Sequence, residues 1–328
     1  MITLWHKVIT LGGVVMLSIY SSAENMRLTK LENIEPGCWI NLIDPSDEEL
    51  ILVSKNTTVP MDFLRAALDE EETSRIDIED CTLIILDIPF TDMDDNSLTY
   101  DTYPVAMIHT DTVIITVCLK NSKILSDFAE GKIGSFFTYK RSRFMLQILY
   151  RIANYYLIYL RQIDKKSYIV EKTLHKSLRN KELLQLLALE KSLVYFSTSL
   201  KGNELTLEKM LKLDILQKFD DDKDVLEDVI IENRQAIEMC TIYSNILSGT
   251  MGAYASVISN NLNIVMKFLA AITIVMAIPN MVSGLFGMNV TGIPFGVTAA
   301  GVGFWYVVAI VGLLSIFVVY FLNRKDMF

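Results

Sequence analysis

The residues best placed to do chemistry are uncharged oxygens in a stretch where chains normally carry none. From Met239 to Asn323 the only charged side chain is Lys267. The first long apolar run there, Met266 to Phe286, contains Thr273, Pro279, Asn280, Ser283 and Gly284, and Asn263 stands just before it. Lipid does not favour such groups, so this run faces protein or water. Two readings fit: the wall of an aqueous path, or a helix–helix packing seam with no path. Two helices cannot enclose such a path, so several chains would have to share it. Other chemistry finds little support. The sequence has no P-loop, no Gly-x-Ser-x-Gly and no His-Glu-x-x-His. His6, His109 and His175 are isolated and read as structural or surface residues. Cys38, Cys81, Cys118 and Cys240 lie far apart, without a CxxC or Cys/His cluster. They read as reduced, mostly buried thiols. The expectation is a protein that is not an enzyme and takes no organic cofactor. The formal net charge of −9 argues against nucleic acid as a partner and fits a cation ligand.

The elements that must position these groups divide the chain into a polar part and a membrane-class tail. Cys38-Trp39-Ile40-Asn41-Leu42 is strand-like and ends at the Asp44-Pro45-Ser46 turn, after which Ser46 or Asp47 caps a helix. Thr82 to Leu86, Val105 to Ile108 and Val113 to Val117 are buried-strand runs, and Thr110-Asp111 reads as a hairpin turn. From about Arg141 to Leu213 the pattern is helical, with Phe144, Ile148, Ile152 and Tyr155 three or four apart. Gly202-Asn203 is expected to break it, and Lys218 to Asp224 to break it again. The aspartates at 220, 221, 222 and 224 read as a solvated helix start favoured by the helix dipole. From Asp224 to about Phe286 one helix is expected, about 95 Å long at 1.5 Å per residue. That exceeds any single core, so it must cross from a soluble body into a membrane.

Met266 to Phe286 and Gly303 to Leu322 are each long enough to span about 30 Å of hydrocarbon. Trp305, Tyr306 and Tyr320 mark the ends of the second run as interfacial aromatics. Lys267, Arg324 and Lys325 share one side and the loop between the runs is uncharged, so both ends are expected in the cytoplasm of a cell (plasma or inner) membrane. Residues 1–25 are an apolar extension with the outline of a secretory signal. The reading preferred over a signal is an extension upstream of a start at Met26, or a short apolar helix.

Gly287-Met288-Asn289 follows the first span directly, and Asn260-Asn261-Leu262-Asn263-Ile264-Val265-Met266-Lys267 precedes it. With a charge-free loop, a second span and a basic end, this pattern resembles the CorA family of divalent-cation channels. The resemblance covers Met26 to Phe328. It implies an α+β cytoplasmic domain with long helices, two C-terminal transmembrane helices, and a pentameric funnel. It implies the boundaries 26–125 for the α/β domain, 126–222 for a helical region and 223–286 for a stalk helix continuing into the first span. It implies 287–302 for the outer loop, 303–322 for the second span and 323–328 for a basic tail. By position, Gly287, Met288 and Asn289 form the selectivity filter, Asn263 lies deeper in the pore, and Met266 falls at an apolar constriction. Asp228 matches a regulatory metal-sensing carboxylate, its partner being Asp92, Asp94 or Asp95 in the acidic loop Phe90 to Asp95 of a neighbouring subunit.

The resemblance therefore implies transport of hydrated Mg²⁺, with Co²⁺ or Ni²⁺ as further cargo, by a homopentamer in a lipid bilayer, gated by intracellular Mg²⁺. Mg²⁺ gives up its water reluctantly. A ring of asparagine carbonyls can accept hydrogen bonds from that water shell without the tight grip of carboxylates. The alternative for Asn289 is a helix C-terminal cap, and for Met266 ordinary packing. The outer loop Val290 to Gly296 departs from the family by carrying no acid. Two rival functions stay open: a Zn²⁺ transporter of the same fold, and a membrane-anchored interaction protein.

Overall fold

A computed structural model describes residues 17–22, 28–94, 97–134, 136–177, 180–217, 219–288 and 302–325. They form two compact units, Met1–Gly249 and Thr250–Phe328.

The first unit is built on a seven-stranded mixed sheet. Its strands are β1 (Leu17–Ser22), β2 (Leu28–Leu31), β3 (Trp39–Ile43), β4 (Arg75–Ile78), β5 (Thr82–Asp94), β6 (Ser97–His109) and β7 (Ile114–Cys118). They lie in the order β2-β1-β3-β7-β6-β5-β4. The β3–β7 pair is parallel and the other pairs are antiparallel. The central strands are buried on both faces, which is why they read as continuous apolar runs rather than alternating ones.

Helices α1 (Asp47–Thr57) and α2 (Met61–Arg65) cover one face. Leu50, Val53, Phe63 and Leu64 pack there on Ile40, Leu42, Leu83, Ile108 and Ile115. Ser46 caps α1 in a reciprocal box with Glu49. On the other face lie α3 (Lys123–Ala129), α4 (Arg141–Ser177) and α5 (Asn180–Lys212). Trp39 from β3 meets the Phe144 ring of α4 edge-on at 5.3 Å. The Trp39 indole N–H donates to Thr116 Oγ1 at 2.9 Å, and that hydroxyl donates to Asn41 Oδ1 at 2.9 Å, so the buried polar groups close on one another.

Three sequence expectations are corrected here. Leu17–Ser22 stands neither outside the domain nor in a helix: as β1 it pairs with both β2 and β3. Its apolar residues serve an interior sheet position, and alternation over six residues is too short to distinguish strand from helix by pattern. Gly202-Asn203 does not break α5, which runs on to Lys212. Asn203 is buried and holds the sheet: its Oδ1 accepts from the Asp87 N–H at 2.9 Å and from Ser74 Oγ at 2.8 Å. Its Nδ2 donates to the Asp87 carbonyl at 2.8 Å. Gly202 brings the helix to contact distance of Ser74. The Phe90 to Asp94 segment is not a loop but the outer half of β5, paired with β6 from Phe90↔Asp101 to Asp94↔Ser97. The strand polarity is set by this long ribbon, not by the acids it carries.

The last helices are α6 (Asp220–Phe286) and α7 (Val302–Asn323). In the first unit α6 buries Leu226, Val229, Asn233, Ala236 and Cys240. Asn233 Nδ2 donates to the Leu200 carbonyl and Cys240 Sγ to that of Leu193, both at 3.0 Å, so α6 lies antiparallel against α5. The aspartate run starts α6 as expected, except that Asp222 is buried. It accepts from the Phe219 N–H at 3.2 Å and pairs with Arg143 of α4 at 3.3 Å. Pro279 lies inside α6 and removes one backbone donor, as helices in membranes tolerate.

Candidate functional site

Within the second unit, two stripes are sheltered. On α6 they are Ala271, Val275, Ile278, Val282 and Phe286; on α7 they are Val307, Val311, Ser315, Val318 and Leu322. Steps of three and four place each set on one helix face. Ser315 Oγ, on the α7 stripe, is buried without a hydrogen-bond partner. The opposite face of α6 carries Asn263, Met266, Ala270, Thr273, Ala277, Asn280 and Gly284, all exposed. The polar residues of the sequence therefore separate. Asn263, Thr273, Asn280 and Gly284 share a stripe with Met266, while Pro279 lies beside the sheltered stripe.

This stripe presents acceptors and no charge. Thr273 Oγ1 donates back to the Leu269 carbonyl at 2.8 Å, which leaves its lone pairs outward as acceptors. Ser256, Ser259, Asn260, Asn263 and Met266 form an open stretch of surface at the Asn263 end. The sequence reading missed Ser256 and Ser259 and used Asn260 only as part of the motif before the span, although their spacing to Asn263 was a legible signal of one helix face.

At the other end α6 stops at Phe286. The Gly287 N–H still donates to the Ser283 carbonyl at 2.9 Å, and the Met288 N–H to Leu285 at 3.4 Å. A glycine at a helix end often supplies a left-handed φ, but Gly287 does not adopt one. Space explains it better: a Cβ there would stand 3.1 Å from the Ser283 carbonyl oxygen. Asn289 lies outside the described residues.

Both Asp221–Phe286 and Trp305–Asn323 are long and apolar enough to cross a membrane by length and composition. The family described as "CorA-like Mg2+ transporter protein" matches residues 35–324. The chain belongs to the CorA family. A relative named "Cobalt/magnesium transport protein CorA", from Methanocaldococcus jannaschii, is 28% identical over 304 residues, 88% of this chain and 90% of that protein. The complete structure of the CorA magnesium transporter from the same organism matches with a TM-score of 0.80 at 25% identity, covering 95% of this chain and 98% of that one. The ZntB cytoplasmic domain from Vibrio parahaemolyticus shares the fold alone, with a TM-score of 0.56 at 13% identity over 76% of this chain and 98% of that one. CorA-family membership makes this a membrane-embedded transporter chain, as two C-terminal spans require, and rests on a match that includes both spans.

The acids that the resemblance marks as metal-sensing are spread over the first unit. Asp228 is exposed on the face of α6 turned away from α5, next to the exposed Ile231, and the exposed Ile242 and Ile246 lie further along the same face. Asp92 is exposed on β5. Asp94 ends β5 opposite Ser97, and Asp95 lies outside the described residues. Among the described residues no group of three or more His, Cys, Asp or Glu within one chain could hold a metal ion. The sequence reading also missed Lys120, whose ammonium stands 3.9 Å from the Tyr103 ring centre on the same ribbon as Asp92.

Proposed function

We propose that this chain conducts hydrated Mg²⁺ into the cytoplasm through a pore shared by five copies, with Co²⁺ and Ni²⁺ as further cargo. The observation that carries this reading is the division of α6 into a sheltered apolar face and an exposed face that bears uncharged polar groups. In a lone chain that polar face would meet lipid, at a cost that only protein or water removes. Five copies turned inward would make it the wall of an aqueous path. Asn263, Thr273 and Asn280 would then line the path, Met266 would form an apolar ring that closes by dewetting, and Gly287, Met288 and Asn289 would form the outer filter. Both termini lie in the cytoplasm, by the placement of Lys267, Arg324 and Lys325.

Intracellular Mg²⁺ closes the pore in this reading by joining Asp228 of one subunit to the Asp92–Asp95 segment of another. Asp228 shares its open face with three exposed isoleucines, the composition of a surface that a neighbouring chain covers. Metal there would offset carboxylate repulsion and bias a two-state assembly. The test is Mg²⁺ flux in proteoliposomes with Asn289→Ala. Uptake is expected to be lost while assembly persists. Normal uptake by that variant would refute the filter role. Proton-coupled Zn²⁺ movement without Mg²⁺ uptake would favour a zinc transporter instead, and no flux a membrane anchor.

A further inference from the structure

Lys120, in the connection after β7, is held in a cage. Its ammonium donates to the Tyr103 hydroxyl, stands over the Tyr103 ring at 3.9 Å and faces the Phe90 ring at 5.7 Å. Glu70 Oε1, from the turn before β4, is 3.9 Å away. Phe90 and Tyr103 meet edge-on at 5.2 Å on the β5–β6 ribbon. Asp92 is two residues beyond Phe90, on the same face of β5, because side chains alternate along a strand. Burial works to lower the Lys120 pKa, and Tyr103, Glu70 and Asp92 outweigh it, so the lysine is held charged. Two aromatic faces, a hydroxyl and the Glu70 carboxylate thus surround a cation that the chain itself supplies, with Asp92 further along the same face.

We propose that Lys120 is a tethered cation that competes with the regulatory divalent cation for Asp92 and so sets the intracellular Mg²⁺ concentration at which the channel closes. This rests on the reading of Asp92 as part of the Mg²⁺ sensor. A fixed positive charge beside a carboxylate weakens that carboxylate for any soluble cation, and a partly exposed site makes the effect sensitive to ionic strength.

The test uses the full chain in nanodiscs and reads the Mg²⁺ midpoint for protection of the first unit from protease. Lys120→Met and Lys120→Gln, both uncharged, are expected to lower the midpoint about three- to tenfold, and Lys120→Arg to keep it. The gap between Lys120→Met and the parent should shrink as salt rises, which a merely structural role of the lysine would not produce. A midpoint unmoved by both neutral variants, while Asp92→Asn raises it, overturns the role of Lys120 and leaves the sensor standing. A midpoint unmoved by Asp92→Asn removes Asp92 from the sensor, and this proposal with it.

Discussion

Asn203 shows how much one side chain can hold. Its amide satisfies both backbone groups of Asp87 and the Ser74 hydroxyl from inside a helix. Asn203→Ala would strand a buried N–H that has nowhere else to go. It is expected to cost about 2–4 kcal/mol of stability, read as a lowered denaturation midpoint of the purified protein. Asp87 itself makes a pH-dependent prediction. Burial raises its pKa from the ordinary 3.8, while a hydrogen bond from Ser199 opposes the rise in part. A raised carboxyl pKa means that the folded chain binds the proton more tightly than the unfolded chain. Ionised Asp87 therefore costs stability above its folded pKa, and the cost fades as pH falls through that value. Asp87→Asn should raise the melting temperature at pH 7 and give a smaller gain in acid, where Asp87 is already neutral. An equal gain at both pH values would remove the carboxyl from the account.

The start of α6 sets where the longest helix begins. Asp222 ties the Phe219 N–H and the Arg143 side chain at that point. Asp222→Ala should cost about 2 kcal/mol through the lost cap and the lost pairing, and Asp222→Asn less, because the amide keeps an acceptor for the cap. Thermal unfolding of the two variants measures the difference. Elements also show where the sequence was hard to read. The continuous helix from Asp224 to Phe286 was legible because no glycine or proline interrupts it before Gly249 and its apolar content never falls away. β1 was not, since its residues are apolar enough for a leader and acquire their role only from β2 and β3 on either side. Only the outer end of β5, from Phe90, was read as an acidic loop, because Asp92 and Asp94 are poor strand formers, and the pairing across to Thr99 and Ser97 overrides that preference. Gly202-Asn203 misled for the same reason: weak helix propensity gave way to a tertiary contact.

At the scale of the molecule, the reading depends on which face of α6 meets water. The native cysteines Cys38, Cys81, Cys118 and Cys240 are all buried in the first unit, so new thiols on α6 can be read against a quiet background. Cysteines replacing Asn263, Thr273 or Asn280 should react with a small charged thiol reagent and lose most Mg²⁺ uptake. Cysteines replacing Val275, Ile278 or Val282 should stay unmodified. Reaction spread evenly around the helix would sink the shared pore. By itself the amino-acid sequence determined the division into a charged body and an uncharged tail, both spans, and the uncharged polar groups along the first. Those properties follow from composition and period, which a chain carries before it folds. Only the tertiary structure decided which face of α6 is sheltered and which is left open, because the helical period groups residues into faces without saying what covers them. It alone brought Lys120, Glu70, Tyr103 and Asp92 together, since sheet pairing and loop closure join segments that lie far apart along the chain.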